Sequence, residues 1–326
     1  MTLLTVKPIL RSRHAQRPEL VISTFLQTYP RWIHAEERTH RVISLDEEVE
    51  LYLKTPVLMS DDDLSRNASS SRALPVERML LDIIENPATP LFWGENERGM
   101  QAWTELQGDR KAEAMAKWEQ SLQQAIAIAR EMIALKVHKQ IINRILEPYS
   151  HIRVLTTSTE WVNYLALRDH PDAEPHILRL AKELRRELER EDNIQTLEPD
   201  QWHMPFMDIE DEHGRPAILS GTNFKEGSAL LNGIKLCVSR CASTSYKTVD
   251  GFDMSLDRAC ALHDRLIHHD PMHASPAEHA ACADRLLDAP VHAGGMCIEW
   301  QHQNQHANFK GFRQYRHMVG TVLTPA

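Results

Sequence analysis

Between Met115 and Ile145 the apolar residues Met115, Trp118, Leu122, Ile126, Ala129, Ile133, Val137, Ile141 and Ile145 recur every three or four positions, with Glu, Gln and Lys between them. That period lays one apolar stripe along a helix. It predicts a single long core-facing helix that stops at Glu147-Pro148, where proline cannot continue it. Met79, Leu80, Ile83 and Ile84 give a shorter stripe that opens after Pro75 and closes before Asn86-Pro87. Ile177, Leu180, Ala181, Leu184 and Leu188 mark a third helix, whose run Arg185 to Asp192 reads as a solvated face laced with i, i+4 pairs. A further helix is predicted from Leu256 to His268. The β-branched runs Val21 to Thr24 and Ile152 to Ser158 predict strands. Pro87 to Gly99 is turn-rich, and Leu197 to Gly227, dense in Pro, Asp and Gly, reads as a long connection and the best domain boundary.

The 326 residues suffice for one large domain or two modest ones with a real core. Apolar runs are too short to cross a bilayer, and Met1 to Arg13 is broken by Lys7, Pro8, Arg11 and Arg13, so a cytoplasmic protein without membrane contact is expected. A net charge of -9 argues against binding polymeric nucleic acid, which needs a surplus of clustered Lys and Arg. A mononucleotide needs only two or three local Arg, so the acidic total leaves it open. The five Cys lie at Cys237, Cys241, Cys260, Cys282 and Cys297 and read as reduced thiols, with no neighbouring pattern that marks a nucleophile. Among eighteen His, Cys260-Ala-Leu-His263 with His268-His269 has loosely zinc-like spacing but lacks a second ligand pair, so no metal is expected. No Gly-x-Gly-x-x-Gly segment indicates a Rossmann-type nicotinamide site.

The candidate chemistry sits in Ser65-Arg66-Asn67-Ala68-Ser69-Ser70-Ser71-Arg72, followed by Ala73-Leu74-Pro75, and in Thr39-His40-Arg41 upstream. Hydroxyls, an amide and guanidinium groups can ring an anion, with Arg as a permanently charged fork. The same composition also suits a solvated Ser-rich loop. The two segments together resemble the signature of the flavin-dependent thymidylate synthase family, Arg-His-Arg-x-x-Ser-x-Asn-Glu-x-Ser-x-Arg-Tyr. Ser65, Asn67, Ser70 and Arg72 fall at the family spacing, Thr39 replaces the first Arg, and Leu45 to Leu64 reads as an insertion between the halves. Ala68 stands where the family has Glu, and Ala73 where it has Tyr. Trp161-Val162-Asn163-Tyr164-Leu165-Ala166-Leu167-Arg168 resembles the family's Asn-x-x-x-x-x-Asn-Phe-x-x-x-Arg element, with Thr157 in place of the first Asn, and Arg144 four residues before Pro148 resembles its nucleotide-contacting Arg. Ile234 to Tyr246, His273 to His279 and Asn308 to Arg316 resemble a family strand, a Ser-Pro-Phe-Glu-His turn and an Arg-Gln-Trp approach that elsewhere precede the signature, so the chain looks permuted or partly duplicated.

The resemblance implies an α/β fold, a mixed or antiparallel sheet flanked by long helices. It implies a nucleotide- and flavin-binding region over 1–196 with the insertion at 45–64, a connection over 197–227, and a C-terminal region over 228–326 packed in the same domain. It implies transfer of a one-carbon unit from methylenetetrahydrofolate to C5 of dUMP, giving dTMP, with FAD as carrier and NADPH as ultimate reductant. Arg168 and Ser70 would be catalytic. Arg72, Arg144, Glu36, Ser70 and Arg168 would bind the nucleotide, and His40, Arg41, Asn67, Asn163 and His279 the flavin. Glu36 occupies the place of a nucleotide-facing Gln. The oligomer implied is a homotetramer, or a dimer given the rearranged order. Two other outcomes stay open: a related C5 modification such as hydroxymethylation, and a nucleotide- or flavin-binding protein without turnover.

Overall fold

The structure is a computed structural model, and it describes residues 2–37, 57–60, 75–98, 102–207, 217–244, 254–269, 273, 275–287 and 299–322, with 57–60 and 320–322 described as backbone only. Strand β1 (Thr5–His14) turns back into β2 (Arg17–Pro30) as an antiparallel hairpin. A 3-10 turn at Arg31–Ile33 leads into the short helix α1 (His34–Glu37). Strand β3 (Val57–Ser60), helices α2 (Val76–Glu85), α3 (Gly108–Ala134) and α4 (Lys139–Leu146), strand β4 (His151–Ser158), helices α5 (Val162–Arg168) and α6 (Pro175–Glu189), and strand β5 (Ile194–Leu197) follow. The principal sheet has the order β3-β4-β2-β1-β5. Its pairings are antiparallel except β1 with β5, which is parallel. The mixed sheet with helices packed on it is the α/β architecture expected.

The hairpin is longer than the Val21 to Thr24 run predicts. Lys7, Arg11 and Arg13 mask the alternation in β1, and Ser12, Thr24 and Gln27 are buried polar residues that read as surface. The long helix predicted from Met115 to Ile145 is two helices. At its break, Lys136 adopts φ 58, its N–H donates to the Ile133 carbonyl at 2.9 Å, and the Val137 N–H donates to the Met132 carbonyl at 3.0 Å. This is a Schellman closure, which satisfies the last carbonyls of α3 without glycine. α4 then restarts one position out of step with the predicted stripe: Ile142 and Leu146 are buried while Ile141 is 54 % exposed, and at the other end Met115 is exposed too. Leu122, Ile126, Ala129, Ile142 and Leu146 share one core with Met79, Leu80 and Ile83 of α2.

Side chains alternate across a strand. Phe25, Tyr29, Ile152 and Val154 therefore face α5 and α6, where they meet Trp161, Tyr164, Ile177, Leu180, Ala181 and Leu184. Thr24, Leu155 and Thr157 face the other way, under the C-terminal region. That region comprises β6 (Trp202–His203), α7 (Ala229–Ser243), α8 (Leu256–Ile267), β7 (Ala281–Ala283), β8 (Leu286–Leu287), β9 (Glu299–Trp300), β10 (Phe312–Gln314) and α9 (Tyr315–Val322). β10, β7 and β6 form a second sheet, and β8 pairs with β9. Leu155 of the principal sheet shares a buried cluster with Trp202, Ile234, Val238, Cys282 and Tyr315.

Two sequence readings differ here. β6 lies inside the segment read as a connection, and its Trp202 is 1 % exposed. Ile234 to Tyr246, which resembles a family strand, is helical up to Ser243 in α7. The Ser228 hydroxyl caps α7 by accepting from the Leu231 N–H at 3.2 Å, and Leu230, Ile234, Cys237, Val238 and Cys241 bury one stripe at helical spacing. Among the described residues no helix is long and apolar enough to cross a membrane.

Candidate functional site

The end of β2 fixes α1. The Tyr29 hydroxyl meets His34 Nδ1 at 2.9 Å with the two rings stacked, and Arg31 Nε donates to Glu147 Oε1 at 3.0 Å. α1 thereby presents Glu36 and Glu37 to α5. Tyr164 and Arg168 lie one turn apart on α5 and so share a face. Arg168 Nη1 donates to Glu36 Oε1 at 2.7 Å, and the Tyr164 hydroxyl donates to Glu37 Oε2 at 3.1 Å.

The two carboxylates differ in setting. Glu36 retains 43 % of its side-chain exposure, whereas Glu37 is buried. Burial pushes the Glu37 carboxyl up to about 7, against the Tyr164 hydrogen bond and the nearby Arg168 charge, while Glu36 adds to the rise. Burial, and then the charge of Glu37, holds the Tyr164 phenol well above its ordinary value. Arg168 keeps one buried nitrogen, Nε, with no partner among the described residues. A permanently charged fork with a donor to spare, held by an exposed carboxylate, can exchange that carboxylate for the anion or carbonyl of a ligand.

A second polar constellation lies on the opposite face of the principal sheet. Ser12, Thr24, Thr157, His203 and His279 are all 0 % exposed. Gln195 Nε2 donates to Ser12 Oγ at 2.9 Å, and Ser12 Oγ meets His203 Nδ1 at 2.7 Å. His203 Nε2 meets Thr24 Oγ1 at 2.9 Å, Thr24 Oγ1 meets Thr157 Oγ1 at 2.7 Å, and Thr157 Oγ1 meets His279 Nδ1 at 2.8 Å. Burial lowers both imidazoles to about 3, so each ring is neutral at physiological pH. His279 Nε2 is buried without a partner among the described residues.

Of the residues singled out from the sequence, Glu36 and Arg168 are in contact. Asn163 is half-buried in the first turn of α5, next to Tyr164. Arg144 is exposed in the last turn of α4, which runs into the Glu147–Tyr149 turn that packs on the Arg31–Ile33 turn below α1. His279 belongs to the buried chain on the far face of the sheet from α5. His40, Arg41, Asn67, Ser70 and Arg72 lie outside the described residues. Sequence reading overlooked Glu37, Tyr164, Thr24 and His203. The i, i+4 spacing of Tyr164 and Arg168 is the one signal that links any of them to the motif. A cavity of about 980 Å³ opens at the edge of the sheet against Ile9, Arg11, Glu187, Gln195 and Ile218, and none of the residues singled out lines it.

Residues 4–192 match the family described as Thymidylate synthase complementing protein. That span runs from the start of the hairpin past α6 and contains Glu36, Glu37, Asn163, Tyr164 and Arg168. No curated protein matches the sequence. Among solved structures the chain is similar to a UMP/dUMP methylase, PolB from Streptomyces cacaoi bound with 5-Br UMP, at 13% identity and a TM-score of 0.42 over 60% of this chain and 91% of that one.

Proposed function

Because the chain belongs to the thymidylate synthase complementing protein family, we propose that it transfers a one-carbon unit from methylenetetrahydrofolate to C5 of dUMP, giving dTMP, with FAD as its cofactor and NADPH as reductant. The observation that carries this reading is the family match over residues 4–192.

The residues present fit an acceptor-rich group. Arg168 Nε and His279 Nε2 are buried nitrogens left unpartnered among the described residues. His40, Arg41, Asn67 and Asn163 would hold the flavin, and His279, on the far face of the sheet from α5, would reach a flavin only from another subunit of the homo-oligomer; when bound, the flavin supplies the redox and carrier chemistry. Arg168, with Arg72 and Arg144, binds the nucleotide through its phosphate and pyrimidine carbonyls, where a planar and permanently protonated donor polarises the ring toward reaction at C5. Glu36 holds the Arg168 fork in the absence of nucleotide and turns to the base, not the phosphate, when nucleotide binds. Ser70 adds a hydroxyl donor at the same place. The working unit is a homo-oligomer.

A second reading keeps the nucleotide and flavin and changes the product to another C5-modified pyrimidine, such as the hydroxymethyl derivative. Ala68 and Ala73, where the family carries Glu and Tyr, and the insertion at Leu45 to Leu64 leave it open. Incubation with dUMP, methylenetetrahydrofolate and NADPH, followed by mass analysis of the nucleotide, separates the readings. A gained methyl group supports the first, a gained hydroxymethyl group the second, and unchanged dUMP overturns both.

A further inference from the structure

We propose that the hydrogen-bonded chain from half-buried Gln195 to buried His279 is a tautomer lock, which makes Ser12, His203, Thr24 and Thr157 positioning residues that hold His279 as an Nε2–H donor. The argument is one of hydrogen-bond polarity. A hydroxyl in a dry interior donates once, and a neutral imidazole donates through one ring nitrogen and accepts through the other. If every hydroxyl proton in the row is paired within it, the row has only two consistent directions, and the partner at its head decides between them.

The end that sets the direction is Gln195, half-buried at the rim of the sheet-edge cavity. Its Nε2 lies 2.9 Å from Ser12 Oγ, and an amide nitrogen only donates. Ser12 must then spend its own proton on His203 Nδ1, 2.7 Å away. This forces His203 to carry its proton on Nε2 and donate to Thr24 Oγ1 at 2.9 Å. Thr24 in turn donates to Thr157 at 2.7 Å, and Thr157 to His279 Nδ1 at 2.8 Å. His279 is left with its proton on Nε2, the buried nitrogen that lacks a partner among the described residues. The burial that keeps both rings uncharged closes the third option, an imidazolium that would donate from both nitrogens.

The arrangement is not a proton conduit, because an amide at its head neither gives up nor takes a proton near neutral pH. What it transmits is orientation, from strand β5 through β1, β6, β2 and β4 to the turn that carries His279. A buried N–H with no partner costs about 1–3 kcal/mol. Its natural complement is a neutral or anionic acceptor, such as a carbonyl oxygen or an unprotonated ring nitrogen, and a ligand group that only donates is refused. That the acceptor belongs to the flavin rests on the reading above; the polarity of the chain does not.

Long-range 1H–15N correlation spectra of the full chain labelled at histidine, without added ligand and at neutral pH, read the tautomers directly. Signals are assigned through the His203→Gln and His279→Gln variants. The expected result is a proton on Nε2 and a bare Nδ1 in both rings. In Gln195→Glu, a carboxylate that only accepts replaces the donor, and both tautomers should invert. Thr157→Val should release His279 into a mixture of tautomers while His203 keeps its own, with Thr157→Ser restoring the lock. A proton on Nδ1 of His279 in the unaltered protein, or a positively charged His279, overturns the proposal whether or not the Gln195 and Thr157 variants fold. So does a Gln195→Glu protein that folds with both tautomers unchanged. Should the lock be found in a protein that binds no flavin, the proposal on polarity stands and the assignment of the acceptor falls.

Discussion

Arg168 and Glu36, 132 positions apart in the chain, meet at 2.7 Å between Nη1 and Oε1 where helices α1 and α5 end side by side. The guanidinium is the more buried partner, at 18 % of its side-chain exposure against 43 % for the carboxylate. The carboxylate end of the pair is open to water, which screens the attraction. The interest of the pair is that the carboxylate can leave. Arg168→Ala is expected to abolish nucleotide-dependent turnover while flavin stays bound, measured by product formation from dUMP beside the flavin absorbance. Glu36→Gln should retain flavin and change the apparent nucleotide affinity. Turnover by Arg168→Ala near the parent rate would remove Arg168 from the substrate site.

Glu37 is expected to make stability fall as pH rises. Its folded-state pKa of about 7 lies above the ordinary carboxylate value, so between roughly pH 4.5 and 7 the folded chain holds a proton that the unfolded chain has lost. The difference amounts to about 3 kcal/mol of stability that is present at the acid end of that window and gone above it. Glu37→Gln keeps an acceptor for Tyr164 and removes the charge. It should unfold at higher denaturant concentration than the parent at pH 8 and at nearly the same concentration at pH 4.5. An equal offset at both pH values would show that folding does not raise the Glu37 carboxyl.

The sequence makes this neighbourhood only half legible. Arg168 and Asn163 stand out because they resemble a motif, and the strand before them is plain in the β-branched run from Ile152. Glu37 looks like one more acid in a charged segment, since nothing local marks it as buried; its hydrogen-bond partner Tyr164 comes from 127 positions away. His203, in the segment read as a connection, is hidden for the same reason. Its partners Ser12 and Thr24 come from β1 and β2, where polar residues at inward positions break the alternation that identifies a strand. The helix stripes, by contrast, need no distant partner to be read, and Ile177, Leu180 and Leu184 are buried as their spacing predicts.

His203 and His279 are expected to make acid unfolding begin early. Both have folded-state values of about 3, below the ordinary imidazole value, so between about pH 6.5 and 3 the unfolded chain binds protons that the folded chain refuses. Stability is fully present above that window and is lost as pH falls, at about 1.4 kcal/mol per pH unit for each ring. Burial lowers His151 to about 4, which acts in the same direction. Glu37 opposes the trend over part of the range, so the loss from pH 6.5 to 5 should be steeper in Glu37→Gln than in the parent. Denaturant titrations at pH 7, 6 and 5 read both slopes. Equal stability at pH 7 and 5 in the two proteins would mean that the imidazoles are hydrated and titrate normally.

Lys136→Gly should stabilise the helical layer. Lys136 sits in the left-handed region at φ 58, closing α3 through its own N–H to Ile133 and the Val137 N–H to Met132. A side chain other than glycine costs on the order of 1 kcal/mol in that conformation, and the Lys136 ammonium makes no hydrogen bond or ion pair among the described residues that would offset it. Glycine removes the steric cost, though it also loosens the unfolded chain, which reduces the gain to a few tenths of a kcal/mol up to about 1. Lys136→Ala keeps the Cβ and should gain nothing, which isolates the backbone effect. Thermal unfolding followed by circular dichroism ranks the three proteins. If glycine proves no better than alanine, the chain between α3 and α4 does not turn through a left-handed residue, and the break in the long apolar stripe needs another cause.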